Sequence, residues 1–286
     1  MQSYWFGDIG DDGECKAFIG DITAAVERIL ALRINMGDFI PLNWQSAADC
    51  GICLNREEYI RKLREASILV TERRIAEAYG KKDVALLQMV SALDEIDNII
   101  NLLTGRAADW YIVNTPAFSR KYRRTPTRKL VKTIARRGEG AMSRLAADVE
   151  QMSETRTALA REVSDMAEKV LPNCSGLLGG LVAARLMYNA GGLSPLARMP
   201  ASTIQILGAR TALFSHLSNA TLPPKHGIIF QHKRVHNAPA EVRGKVARVL
   251  AAKLAIAARL DLYRGVAVPE FLESAQARIN AAGVVL

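Results

Sequence analysis

Residues 171–265 read LPNCSGLLGGLVAARLMYNAGGLSPLARMPASTIQILGARTALFSHLSNATLPPKHGIIFQHKRVHNAPAEVRGKVARVLAAKLAIAARLDLYRG. Twelve basic side chains stand here (Arg185, Arg198, Arg210, Lys225, Lys233, Arg234, Arg243, Lys245, Arg248, Lys253, Arg259 and Arg264) against two acidic ones, Glu241 and Asp261. A flexible basic tail is polar and repetitive, whereas this stretch is dense in Leu, Ile, Val, Ala and Gly. A folded module of one charge sign faces a polyanion. Pro172 and Asn173 open it, and Gly191-Gly192, Pro195, Pro200 and Pro223-Pro224 divide an otherwise helical interior. Residues 226–232 read as a short extended piece, and Val242–Tyr263 as a long helix begun near Pro239. At 100° per residue, Val242, Val246, Val249, Ile256, Ala257 and Leu260 share one face of that helix. Lys245, Arg248 and Arg259 cluster on the far side, and Lys253 falls on the packed side.

The segment before this module has the clearest periodicity in the chain. Met142, Leu145, Val149, Met152, Arg156, Leu159, Val163, Met166 and Val170 follow a 3-4-3-4 spacing, a coiled-coil seam with Arg156 as its only polar member. Such a helix runs roughly 42 Å, while the preceding short helix, Thr127–Arg137, covers only about 16 Å. Either an earlier helix or a second chain must complete the seam. A second chain is expected for part of it, and with it a homodimer. Residues 120–137 form the most basic run: Arg120, Lys121, Arg123, Arg124, Arg128, Lys129, Lys132, Arg136 and Arg137 occur with no acid between them. Thr125 is placed as a cap and Pro126 at the first helical position. Further back, Val84, Leu87, Val90, Leu93, Ile96, Ile100 and Leu103 mark one face of a helix that Asp83 caps. Glu57–Tyr79 is another helix, ended by Gly80.

The first residues differ in kind. Residues 4–9 and 14–19, joined by Gly10-Asp11-Asp12-Gly13, read as a β-hairpin. A helix over Ile22–Met36 follows, and breaks at Gly37, Pro41 and Gly51 close a small α/β unit near residue 54. Charge divides the same way. Residues 1–105 carry 11 basic and 17 acidic groups, and residues 106–286 carry 27 and 12. An acidic front and a basic back imply different partners. The domains expected are therefore 1–54, small α/β; 55–115, helical connector; 116–170, coiled coil; and 171–286, the basic module. Cys15, Cys50, Cys53 and Cys174, with no signal peptide, read as reduced thiols of a cytoplasmic protein. The longest apolar run, Leu177–Leu186, is broken by Gly179, Gly180 and Arg185 and is too short for a membrane span.

Catalytic chemistry finds little to work with. Cys50-Gly51-Ile52-Cys53 is a CxxC pair, but no second pair supplies the four ligands a structural zinc needs. His232 and His236 lack the Glu of a metalloprotease helix, and His216 and His226 add no ligand spacing. No phosphate-binding loop, dinucleotide fingerprint or nucleophile elbow is present. No catalytic residue, cofactor or metal is expected. An enzyme using the cysteines or histidines with a metal is the alternative from another class. The segment around Arg210 and Lys225-His226-Gly227 combines glycine, cations and a flat imidazole, a set able to stack on a base and grip a phosphate.

At these residues the sequence resembles the Nop domain family. The PASTIQ-LGA stretch, the PPKHG-IF stretch and the KVAR-LAAKLAIAAR-D helix occur together and in order, and ALDEIDNIINLLTGRAADWY (Ala92–Tyr111) is similar to the segment preceding the family's coiled coil. The resemblance implies a mainly α protein with a small α/β N-terminal domain, antiparallel coiled-coil helices and an all-helical C-terminal Nop domain. It further implies a non-catalytic scaffold of an archaeal box C/D guide-RNA ribonucleoprotein. Its N-terminal domain would hold a fibrillarin-type methyltransferase for ribose 2′-O-methylation, and its coiled coil would dimerise. Its Nop domain would bind kink-turn RNA together with a kink-turn-binding protein of ribosomal type. By position, Gln205, Gly208, Ala209 and Arg210 match one RNA-contacting loop, and Lys225, His226 and Gly227 the second. Lys245 and Arg248 match the start of the basic helix. Relatives often carry Glu-Lys where this chain has Arg210-Thr211, and the insertion after the Trp-Tyr segment is short. The alternative within the family is a spliceosomal-type protein without a methyltransferase; the compact N-terminal part and lack of a Lys-rich tail favour the guide-RNA type.

Overall fold

The structure, a computed structural model, describes residues 2–10, 12, 14–17, 21–32, 44–114, 127–219 and 221–283. The expected breaks at Gly37 and Pro41, the tail of the first helix, part of the hairpin turn, and Arg120, Lys121, Arg123, Arg124, Thr125 and Pro126 lie outside these residues. Two compact units emerge, residues 1–81 and 82–286.

The first unit holds a three-stranded antiparallel sheet, β1 (Gln2–Ser3), β2 (Gly7–Ile9) and β3 (Cys15–Ala17), in that order. The expected hairpin is β2–β3, with Gly7 opposite Ala17 and Ile9 opposite Cys15. Three helices follow: α1 (Ile22–Ala31), α2 (Trp44–Asp49) and α3 (Arg56–Tyr79). Asn55 caps α3 by accepting from the Glu58 amide at 2.9 Å, while the Glu58 carboxylate accepts from the Leu54 amide at 2.8 Å. This reciprocal pair satisfies two N-terminal donors. Phe6, Ala47, Ile52, Cys53 and Tyr59 make the small core. The cysteines correct the expectation of four reduced thiols: Cys15 and Cys50 form a disulfide, leaving Cys53 and Cys174 free and buried. The CxxC spacing misled because Cys50 pairs with a residue 35 positions away.

The second unit is all helical. Helix α4 (Lys82–Asn114) runs through Gly105 without interruption, and α5 (Thr127–Arg137) and α6 (Gly140–Val170) follow. Buried residues on α4 and α6 meet in opposite chain directions. Tyr111 shares a cluster with Met142, and Leu86 shares another with Ala167. Between the clusters Arg156 bonds Asp97 in a bidentate pair, at 2.7 and 3.0 Å. The α6 seam is thus filled from within the chain, by α4, and its buried line runs through Ala146 and Ala167 rather than Leu145 and Met166. The reason for expecting a second chain along this seam therefore falls away.

Arg156 explains itself through that pairing. A cation in an apolar seam is tolerated only with a counter-charge, and a polar member fixes register. Asp97 also bonds Arg185 at 3.1 Å, and Arg185 reaches Asp94 at 3.0 Å. Asp97→Ala therefore strands the Arg156 guanidinium and leaves Arg185 with Asp94 only, whereas Arg156→Ala leaves Asp97 with Arg185. We expect urea unfolding to show a loss of about 2 kcal/mol for the first and about 1 kcal/mol for the second. The hydrogen bond from Arg156, more than any other influence, holds the Asp97 carboxyl below its usual 3.8. A depressed folded-state pKa adds stability above the unfolded value and loses it as pH falls through the folded one. The contribution is intact above about pH 4 and fades below it, so Asp97→Asn should flatten that acid limb.

The basic module packs as α7 (Pro172–Leu178), α8 (Gly180–Ala190), α9 (Leu193–Arg198), α10 (Ala201–Ile206), α11 (Arg210–Asn219), a 3-10 turn at Ile228–Gln231, α12 (Lys233–His236), α13 (Ala240–Tyr263) and α14 (Pro269–Ala282). The extended piece expected at 226–232 is that 3-10 turn: Ile229 alone is fully buried, so there is no alternation for a strand to exploit. Helix α13 is the central element. Its buried residues are Val246, Ala247, Leu250, Ala251, Leu254, Ala255, Ala257, Ala258 and Asp261, while Ile256, expected inside, is 42% exposed.

Candidate nucleic-acid interface

The two loops singled out in the sequence, 205–210 and 225–227, lie against each other. The Gly227 amide donates to the Gln205 carbonyl and the Ile228 amide to the Leu207 carbonyl, both at 2.8 Å. The Gln205 side-chain amide donates to the Lys225 carbonyl at 2.8 Å. Gln205 therefore braces the second loop. Both glycines are required by this closeness. Gly208 sits at φ +86°, and a Cβ there would come within 2.5 Å of the Ile228 side chain. A Cβ on Gly227 would overlap the Leu207 carbonyl oxygen. The fully buried Ile229 anchors the 3-10 turn beneath, and Ala209 precedes α11, whose first residue is Arg210.

Side chains then build a stack. His226 lies on Phe230 with ring centroids 4.4 Å apart and planes 16° from parallel. Phe230 also meets His236 at 5.0 Å, and the Arg243 guanidinium sits 5.5 Å from the Phe230 centroid. Arg243 is held by two bonds to the Ala238 carbonyl, at 3.1 and 2.9 Å. Burial first, then the nearby Arg243 and Lys225 charges, lower the His226 pKa. The ring is thus kept neutral, suited to stacking and hydrogen bonding rather than to an ion pair. Phe230 and Arg243 escaped the sequence reading; an aromatic two residues beyond Ile228 and a cation three residues into α13 carry no local signal of meeting.

The cations differ in station. Arg210 and Lys225 are exposed, and the Lys225 ammonium reaches the Ala240 carbonyl at 3.4 Å. Lys245 and Arg248 are exposed on α13, and no hydrogen bond or ion pair among the described residues ties them to the two loops. Arg259 donates to the Ala197 carbonyl at 3.2 Å, a buttressing contact. His232 is pulled down by burial, and its buried Nδ1 has no hydrogen-bond partner. Among the described residues no group of three His, Cys, Asp or Glu is placed to hold a metal, and no helix is long and apolar enough to cross a membrane. A cavity of about 590 Å³ lies elsewhere, between α4, α5 and α6 beside the Asp97–Arg156 pair.

Comparison with known proteins places the chain in a family. The Nop model, described as a snoRNA binding domain with fibrillarin, matches residues 125–281. An uncharacterised Nop5 family protein of Methanocaldococcus jannaschii is 31% identical over 283 residues, spanning 86% of this chain and 68% of that protein. Nucleolar protein 58 of Saccharomyces cerevisiae is 32% identical over 63% of this chain, and nucleolar protein 56 of Mus musculus 28% over 80%. The alignments span 42% and 48% of those two proteins, so the chain matches less than half of each nucleolar relative. A crystal structure of a fibrillarin/Nop5p complex contains a chain that superposes with a TM-score of 0.54 at 29% identity, covering 98% of both chains. The chain belongs to the Nop family, with Nop5-type proteins among its relatives.

Proposed function

We propose that this protein is a non-catalytic scaffold of a cytoplasmic box C/D guide-RNA ribonucleoprotein. It joins a fibrillarin-type methyltransferase to a guide RNA and its kink-turn-binding protein. The observation that carries this reading is the stitched loop pair: two loops far apart in sequence present Arg210, Lys225 and His226 on one surface inside the matched Nop region. A neutral, pre-stacked imidazole flanked by cations fits a splayed base next to a phosphate. Gly208, Ala209 and Gly227 let backbone approach the RNA, Gln205 holds the loops in register, and Lys245 and Arg248 meet phosphate beyond them.

Two further faces support protein partners. On α3, Ile60, Ile68, Ile75 and Tyr79 are exposed within about 100° of arc, on the side opposite the buried Tyr59, Ala66 and Val70. We assign the methyltransferase to the unit carrying this helix, on its exposed apolar stripe and the acidic balance of residues 1–105. On α4, Ile99, Leu102, Trp110 and Val113 remain exposed along one side after α6 has filled the other. That stripe suits a second copy of α4, making the homodimer a contact of α4 rather than of the α6 seam.

Gel shifts with the kink-turn RNA already bound by its protein test the loop assignment. Arg210→Ala and Lys225→Ala should each weaken the ternary complex by roughly 1–3 kcal/mol and reduce the salt slope by about one. His226→Phe should bind within about threefold of wild type while His226→Ala loses roughly tenfold. Unchanged affinity in all of the alanine variants would remove these loops from the interface.

A further inference from the structure

The Cys15–Cys50 disulfide occupies a place where it governs a whole unit. It ties the first residue of β3 to the residue following α2, closing a separation of 35 residues. The elements it joins are weak alone. Among the described residues the sheet has strands of two and three residues, and the hydrophobic cluster packed with it has five buried members. Sheets of such short strands need an added constraint, and a cross-link supplies one by restricting the unfolded chain.

The same bond is less enclosed than the other thiols. Cys15 and Cys50 are half-buried at the edge of the hydrophobic cluster. Cys53, three residues from Cys50, is buried, and burial followed by the Glu58 charge raises its thiol pKa. Its S–H points toward the Trp44 carbonyl at 3.9 Å. Cys174 belongs to the other unit and is fully buried, with its pKa raised well above the ordinary thiol value. Protonated, shielded thiols are poor nucleophiles, so neither free cysteine competes in exchange with the Cys15–Cys50 bond.

We propose that Cys15–Cys50 is a redox clasp: its oxidised form orders the N-terminal unit for its protein partner, and its reduction releases that unit while leaving RNA recognition untouched. The proposal rests on the scaffold reading above for the identity of the partner. The step needs a thiol reductant of dithiol type. One thiolate attacks a sulfur of the pair and forms a mixed disulfide, and the second thiol displaces it. The reductant leaves as its disulfide, having given two electrons, and Cys15 and Cys50 each end as a thiol with one proton.

Full-length protein purified without reductant provides the test. Alkylation after unfolding should modify two of the four cysteines, and all four after reduction. Hydrogen exchange over residues 7–17 and 44–53 should quicken about tenfold or more in dithiothreitol. Affinity for a purified fibrillarin-type methyltransferase should fall by about tenfold, with affinity for the kink-turn RNA–protein complex unchanged within about twofold. The Cys15→Ala/Cys50→Ala protein should match reduced wild type; if it fails to fold, exchange in reduced wild type decides alone. Four reactive thiols before reduction, or exchange insensitive to reduction, overturns the clasp. Loss of methyltransferase binding in both redox forms overturns the scaffold reading instead, and the exchange difference still judges the clasp.

Discussion

Gly227→Ala should weaken the ternary RNA complex by roughly a hundredfold while leaving the helical module folded. The new Cβ would overlap the Leu207 carbonyl oxygen and come within 2.8 Å of the Ile206 carbonyl carbon. These are backbone atoms, so no side-chain rotation relieves the clash. The loops must part, and parting breaks the Gly227–Gln205 and Ile228–Leu207 backbone bonds. Two such bonds are worth about 1 kcal/mol each, and overpacking adds about 1–3 kcal/mol. A local cost near 3 kcal/mol corresponds to roughly a hundredfold in affinity. Ile204, Leu207 and Ile229 tie the loops to the edge of the main core, but most of that core, from Leu86 through Leu186 and Met187 to Leu250 and Leu254, comes from other elements and keeps the fold. Gel-shift affinity within about threefold of wild type would contradict this.

The largest expected effect on stability belongs to Asp261→Ala. Asp261 is 3% exposed at the C-terminal end of the apolar face of α13. Its carboxylate accepts from the Asn173 amide and side chain, both at 2.8 Å, and from the Cys174 amide at 2.9 Å. Those amides are at the N-terminus of α7, where helix donors lack internal partners and the dipole favours an anion. Asn173 extends the network to the Val266 carbonyl and the Val268 amide, both at 2.8 Å, fixing the link into α14. Alanine would leave these donors buried without an acceptor, at about 1–3 kcal/mol each. Because one rearrangement serves all three, the total should be roughly 4 kcal/mol, read as a fall in the urea midpoint at unchanged slope. Asparagine retains one acceptor and should cost about half as much. A loss below about 1 kcal/mol for alanine would mean that the network is not what closes this junction.

Much of the architecture was legible because periodicity reports which face of a helix is buried. It does not report what buries it. The α6 seam was visible from Met142 to Val170, yet its partner, α4, was legible only through a charge argument. Arg156 in an apolar line requires an acid, and Asp97 lies on the inner face of α4 where it meets Arg156. The Cys15–Cys50 pair was hidden for a related reason: cysteines three apart form a recognisable pattern, whereas pairing across 35 residues depends on the fold. At the loops, residue types and order identified Arg210, Lys225 and His226 as a set. The hydrogen bonds that unite them run between backbone groups, which every residue possesses, so sequence could not single them out. The Arg243–Phe230–His226 stack was equally silent, being assembled from three different elements.

Stepwise reconstitution tests the scaffold directly. Affinity is measured for guide RNA alone, for guide RNA carrying its kink-turn protein, and for the methyltransferase, with ribose methylation of a target RNA as the final readout. Weak binding to bare RNA, binding tighter by about a hundredfold once the kink-turn protein is present, and methylation only when all components are combined are the predicted results. Equal affinity for RNA with and without the kink-turn protein, or full methylation with this chain left out, would contradict the role of this protein as the piece that joins them.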